Sequence, residues 1–220
     1  MDMEKVKPLL RGIPDVIMTV VAVPAVILLA INAQGPWATF SALSFGFGLL
    51  AVLGMSALYH TPTWSAEKLA VMRRLDHAAI FLLLAGSYTP FCLCTDLAAG
   101  APLLAFVYAC TLLGVMRTLF FPRGHRGIRA ALFVLLGLVM VPWTGELYRT
   151  VGFQVLLLAC IGGALYILGA GVYVTRRPDP FPRHFGYQEV FHLFVFAALG
   201  CHYVAVWQVL TAARPALQAG

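Results

Sequence analysis

Charge is what this chain has least of: Asp, Glu, Lys and Arg make up 11% of its 220 residues, against 61% hydrophobic. A water-soluble domain carries roughly 25% charged residues, so a soluble fold is excluded and an integral membrane protein is expected. Lysine is scarcer still. The only three, Lys5, Lys7 and Lys68, lie outside the apolar runs, which excludes a retinal-type Schiff base inside a span. The five cysteines, Cys92, Cys94, Cys110, Cys160 and Cys201, all fall in or at the ends of apolar runs. An odd count without loop pairs argues against a disulfide framework and for buried thiols, and Cys92-Leu93-Cys94 has neither a second pair nor a nearby histidine. No Lys/Arg run interleaved with aromatics occurs, so the net charge of +6 does not indicate a nucleic-acid partner. Internal repeats and low-complexity linkers are also missing.

What is present is a series of apolar runs long enough to cross a hydrocarbon core of roughly 30 Å. Seven can be read, at residues 14–32, 40–60, 75–94, 102–121, 128–146, 152–175 and 187–210. The expected architecture is an all-α membrane protein, a seven-transmembrane helix bundle forming a single domain over 1–220, with a short N-terminal tail of 1–13. Lys5, Lys7 and Arg11 before an apolar run resemble a signal peptide, but six further runs favour a retained helix. Pro24, Pro90 and Pro142 fall inside runs, where neighbouring helices can satisfy the freed carbonyls. Ala159, Gly162, Gly163, Gly169 and Gly171 supply small residues for close helix packing in the sixth run.

The basic residues set an orientation. Thirteen of the fifteen fall in the tail and in the turns after the second, fourth and sixth runs; only Arg149 and Arg214 fall on the other side. The positive-inside rule puts the N-terminus in the cytoplasm and the C-terminus outside. The basic surface then faces anionic membrane lipids, and no further partner is needed to explain it.

With that topology, four polar residues from distant parts of the chain reach the cytoplasmic side: His60 ends the second run, Asp76 begins the third, and Gln188 and His192 begin the seventh. Ser56 and His60 are four residues apart, as are Gln188 and His192, so each pair stands on one helix face. Ionisable groups inside spans are costly and mark functional sites by default. Two imidazoles, an amide oxygen, a carboxylate and a hydroxyl can surround one divalent cation, and zinc suits imidazole best. The competing readings are structural: a hydrogen-bonded core pair for His60 and His192, a helix N-cap for Asp76, and a hydroxyl bonded one turn back for Ser56. His77 points about 100° away from Asp76 and is assigned to packing, and His202 lies roughly 15 Å deeper than His192 along the helix. Glu189 is offset from the Gln188 and His192 face and is expected to pair with a loop arginine.

Ser56-x3-His60, Arg73-Arg74-Leu75-Asp76-His77, Ala85-Gly86-Ser87-Tyr88-Thr89-Pro90 and Glu189-Val190-Phe191-His192 running to His202 together resemble the haemolysin III family. This is the bacterial branch of the progestin and adipoQ receptors, which include the adiponectin receptors. The resemblance implies a seven-helix bundle in the bacterial cell inner membrane, N-terminus cytoplasmic, with zinc near the inner leaflet. It also implies that three histidines hold the metal while an aspartate and a serine attend its water. Carried over, His60 and His192 are metal ligands, and Asp76 and Ser56 are the catalytic pair.

One position departs from the pattern, because Gln188 stands where the family has the first histidine of His-x3-His. Gln188 is therefore the third candidate for the metal, and a poorer one than imidazole. Three arrangements compensate. Asp76 binds directly; or His184 reaches in, which Pro182 opposes; or Gln188 only hydrogen-bonds where a metal once sat.

Two functions compete. In the first, a metal-dependent hydrolase cuts lipid amides or esters in a ceramidase-like reaction: zinc polarises the carbonyl, Asp76 takes the proton and Ser56 orients the water, with a lipid-like small molecule as substrate. In the second, the cluster is structural, in a non-enzymatic membrane sensor or homeostasis factor. A pore ranks last, since the spans offer no obvious water path.

Overall fold

A computed structural model describes residues 8, 10–121 and 125–212 of the chain. Lys5, Lys7, Arg123 and Arg214, used above for orientation, lie outside them. In chain order the elements are α1 (Ile13–Asn32), α2 (Pro36–His60), α3 (Ala66–Leu93), α4 (Gly100–Phe120), α5 (Arg126–Gly137), a 3-10 segment (Leu138–Trp143), α6 (Thr144–Thr175) and α7 (Tyr187–Ala212). Among the described residues there is no strand, only an isolated bridge between Phe181 and Phe185.

Among the described residues five stretches are long and apolar enough to cross a membrane: Ile13–Asn32, Pro36–His60, Gly100–Phe120, Arg126–Thr175 and Tyr187–Thr211. The seven expected runs differ from these at two places. The third helix starts at Ala66, nine residues ahead of the expected 75, and its first turns carry Glu67, Lys68, Arg73, Arg74 and Asp76, which lower its hydropathy. Ser65 caps it, accepting from the Lys68 N–H at 3.5 Å. Asp76 therefore sits in the third turn and is not an N-cap. The fifth and sixth runs, in turn, form one helical stretch of 50 residues. Two features interrupt it. At Leu138–Trp143 the helix tightens around Pro142, which cannot donate to the helical ladder. At Gly152 the backbone takes φ 77° and ψ 174°, which glycine adopts without steric cost.

The carbonyls loosened at the first interruption are met by Tyr88. Its hydroxyl lies 2.8 Å from the Leu136 oxygen and 2.9 Å from that of Gly137, and accepts from the Met140 N–H at 3.2 Å. This is how a break in a helix survives away from water.

The core lies where α1, α2, α3 and α7 meet, with Leu29, Phe45, Val206 and Leu210 fully enclosed. A second cluster joins α3, α4 and α5 through Phe81, Val107 and Leu136. Helices α2 and α3 approach very closely: a Cβ on Gly48 would stand 2.7 Å from the Leu83 Cα, and one on Gly86 would stand 2.5 Å from the Ser44 oxygen. In the sixth expected run the small residues divide. A Cβ on Gly162 would meet His202 at 2.3 Å and one on Gly169 would meet Phe194 at 3.1 Å, whereas Gly163 and Gly171 have nothing within 4 Å. The outward faces carry Val20, Ile31, Leu113 and Phe120, each more than half exposed. Such a surface is stable only against lipid.

Candidate functional site

The ends of α1, α2, α3 and α7 bring together Asp15, Ser56, His60, Asp76, Gln188 and His192, all of which line one cavity of about 380 Å³. The remaining wall is mostly apolar and extends along α3, α5, α6 and α7 to Leu84, Ile167, Tyr166 and His202.

At the centre is a carboxylate that the sequence reading passed over. Asp15, in the first turn of α1, is 1% exposed. Its Oδ1 accepts from the Ser56 hydroxyl at 2.8 Å. The Nδ1–H of His192 is held between the two carboxylate oxygens, at 3.0 Å from Oδ1 and 3.1 Å from Oδ2. A carboxylate on one imidazole nitrogen fixes the ring and its tautomer, leaving Nε2 with a lone pair. The signal for Asp15 was in the sequence: it is the only charged residue between Ile13 and Asn32. Ser56 bonds across to α1, not to the carbonyl one turn back.

A second chain of contacts runs through His60. The Gln188 amide Nε2–H donates to His60 Nε2 at 3.0 Å, and the Gln188 Oε1 accepts from an Arg11 Nη–H at 2.9 Å. Arg11 also donates through Nε to Glu189 Oε1, and Glu189 Oε2 accepts from the Gly186 N–H at 2.8 Å. Glu189 is thus paired with a loop arginine as expected. The arginine comes from the turn before α1, a partner that spacing along α7 cannot reveal. The His60 and His192 rings lie 5.1 Å apart between centroids.

Asp76 lines the same cavity, its side chain 16% exposed, and lies 3.8 Å from His77 Nδ1. His77 also lines the cavity but is engaged by its own helix and by α6: Nδ1 lies 2.5 Å from the Arg73 carbonyl and Nε2 lies 3.4 Å from the Tyr173 hydroxyl. His202 bonds the Ala198 carbonyl at 3.0 Å, at the deep end of the cavity. His184 is exposed in the turn before α7 and does not reach the cluster.

These donors meet the needs of zinc only in part. His192 carries its carboxylate as metal-binding histidines do, and two imidazoles face one space. A third protein ligand is not assembled, because Gln188 offers His60 its nitrogen and turns its oxygen to Arg11. Among the described residues no group of three His, Cys, Asp or Glu side chains is placed to hold a metal. As arranged, the residues do not fit a three-ligand zinc centre.

Comparison with known proteins adds a family and relatives. A family model described as "Haemolysin-III related" matches residues 3–203. The chain is 27% identical over 192 residues to the Hemolysin-3 homolog of Bacillus subtilis, covering 87% of both chains. It is 30% identical over 184 residues to the Hemolysin-3 of Bacillus cereus, covering 80% of this chain and 79% of that protein. It is 28% identical over 183 residues to the Adiponectin receptor protein of Drosophila melanogaster, covering 73% of this chain and 40% of the receptor.

Proposed function

This chain belongs to the haemolysin-III related family of multi-pass integral membrane proteins, and on that premise we propose that it hydrolyses lipid amides or esters in the cavity shared by His60, Asp76 and His192. The observation that carries this reading is the division of the cavity. Asp15, Ser56, His60, Asp76, Gln188 and His192 gather at one end of the cavity of about 380 Å³, and most of the wall beyond them is apolar. That shape suits an amphiphile whose carbonyl rests among the polar groups while its chain occupies the rest.

The chemistry follows from the hydrogen bonds. Asp15 holds His192 by Nδ1, so Nε2 is the nitrogen that takes a proton from water as the water oxygen attacks the carbonyl carbon. Asp15 then stabilises the imidazolium, Ser56 keeps Asp15 in place, and the proton passes to the leaving nitrogen or oxygen. Asp76, in the same wall, accepts a hydrogen bond from the remaining O–H of the attacking water and orients it. The test is turnover of a panel of lipid amides and esters by protein in lipid nanodiscs. Cleavage that disappears in His192→Ala is expected; a wild-type protein that cuts none of them ends the reading.

We read the bundle as seven spans with a cytoplasmic N-terminus, in the inner membrane of a bacterial cell. The continuous stretch Arg126–Thr175 would run about 75 Å if straight, more than twice a hydrocarbon core of roughly 30 Å. Its interruptions between Leu138 and Gly152 suit a return through the membrane. In α3 the residues after Asp76 include no Asp, Glu, Lys or Arg for about 25 Å. Labelling of single cysteines placed at Asn32, Trp64 and Asp96 from either side of the membrane tests the topology.

The chain from Glu189 through Arg11 and Gln188 to His60 favours a second reading, a sensor in which the cluster fixes the helix arrangement. His60→Ala and Asp76→Ala separate the two. An enzyme loses turnover in both while Asp76→Ala stays folded; a structural cluster loses stability in both.

A further inference from the structure

Beside the Tyr173 and Tyr187 rings, the first turn of α5 contributes two arginines to the cavity that none of the chemistry above uses. Arg126 and Arg129 are three residues apart and both line the cavity. The Arg126 guanidinium stacks on the Tyr173 ring, 4.6 Å from its centroid, and Arg129 reaches the Tyr173 hydroxyl at 3.5 Å. The buried Nη1 of Arg126 and Nε of Arg129 have no hydrogen-bond partner among the described residues. Neither arginine forms an ion pair there; the three pairs join Arg11 to Glu189, His77 to Asp76 and His192 to Asp15. Guanidinium N–H groups held by stacking, with donors buried and unspent, form a fork that matches carboxylate or phosphate. The stacking ring fixes where that fork sits. Tyr173 also touches His77 Nε2, and its ring lies 5.4 Å from Phe191, next to His192, so the arginines stand one aromatic layer from the proposed reacting groups.

We infer that the substrate carries an anion beyond its scissile bond: an acyl amide with a carboxylate or phosphate head, such as an N-acyl amino acid. Arg126 and Arg129 hold the anion, the amide lies against His60 and His192, and the acyl chain fills the apolar depth. This inference rests on the hydrolase reading for the position of the amide. A neutral-headed acyl amide fills the same depth but leaves both guanidinium groups unpaired, which is the basis of discrimination.

The test is equilibrium binding, with no turnover needed, to protein in nanodiscs of neutral lipid. N-dodecanoylglycine is compared with N-dodecanoylethanolamine, N-acetylglycine and inorganic phosphate. The wild type is expected to bind the acylglycine at least tenfold more tightly than the ethanolamide, and the two short anions weakly. In R126Q/R129Q the acylglycine falls to the level of the ethanolamide, whose binding is unchanged and reports a folded cavity. R126K/R129K retains the preference in part, and stands in for the first variant if that one does not fold. Equal binding of the two amides by the wild type overturns the inference. So does a preference that survives R126Q/R129Q intact, or phosphate alone binding as tightly as the acylglycine. Failure of hydrolysis alongside a preserved binding preference counts against the proposed reaction and not against the anion site.

Discussion

Asp15 and His192 lie 177 positions apart and meet in a buried pair at 3.0 Å, joining the first turn of α1 to the second turn of α7. A further bond of 2.8 Å brings in Ser56 of α2. The first two helices and the last are thus fixed to one another by a single carboxylate.

Removing that carboxylate is the first test. Asp15→Ala is expected to destabilise the protein by about 3 kcal/mol, since a buried pair loses one member. Ser56→Ala, which deletes one hydrogen bond, costs about 1 kcal/mol. Thermal unfolding in detergent reads both; an Asp15→Ala protein as stable as the wild type refutes the pairing.

The proposed roles of His192 and Asp76 separate kinetically from stability. His192→Ala and Asp76→Asn are each expected to lower kcat by about 10²- to 10⁴-fold. Asp76 has no hydrogen-bond network to lose comparable with that of Asp15, so its variant unfolds within a few degrees of wild type. Retained turnover in His192→Ala assigns the base elsewhere.

Gln188 decides the metal question. With its nitrogen on His60 and its oxygen on Arg11, the wild-type protein is expected to bind zinc well below one ion per chain. Gln188→His supplies the third imidazole, and zinc content rises towards one. Elemental analysis of both proteins after dialysis checks this, and a stoichiometric wild type shows that the site closes by another route.

Packing offers a comparison independent of function. Gly48→Ala drives a methyl group against the Leu83 backbone and is expected to cost about 2–3 kcal/mol. Gly163→Ala, with nothing within 4 Å, changes stability by less than about 0.5 kcal/mol. Similar losses at both sites contradict the close contact between α2 and α3.

How much of this was legible beforehand depends on which interactions are local. Helical spacing placed Ser56 with His60 and Gln188 with His192, and the depth of each run brought them to one end of the bundle. Both inferences hold because a helix fixes its own faces. Pro24, Pro90 and Pro142 were equal candidates for a bend; the helix tightens around Pro142, whereas Pro24 and Pro90 lie inside α1 and α3. Asp15 was missed because a carboxylate in a helix's first turn looks self-sufficient beside the helix dipole. Its real partners lie on α2 and α7, and only docking of the three helices shows them. The orientation of Gln188 was equally hidden: an amide can present oxygen or nitrogen, and the choice is made by Arg11, from the far end of the chain. Arg126 and Arg129 were counted as topology signals, and nothing in their spacing shows that Tyr173 turns them inward.

Helix α1 encloses Asp15, Ala22 and Leu29, half-buries Met18 and Val26 against the core, and turns Val16, Ile17, Val20 and Ile31 outward. Its polar ties to the bundle include the side chains of Asp15 and of Arg11 just ahead of it, and its Ala25 carbonyl accepts from the Tyr203 hydroxyl at 2.8 Å. A load applied to the N-terminal tail, whether from a fused domain or a captured partner, draws directly on those two side chains. Tension there pulls the carboxylate from one imidazole and the glutamine from the other, so displacement of this first helix dismantles the reacting end of the cavity.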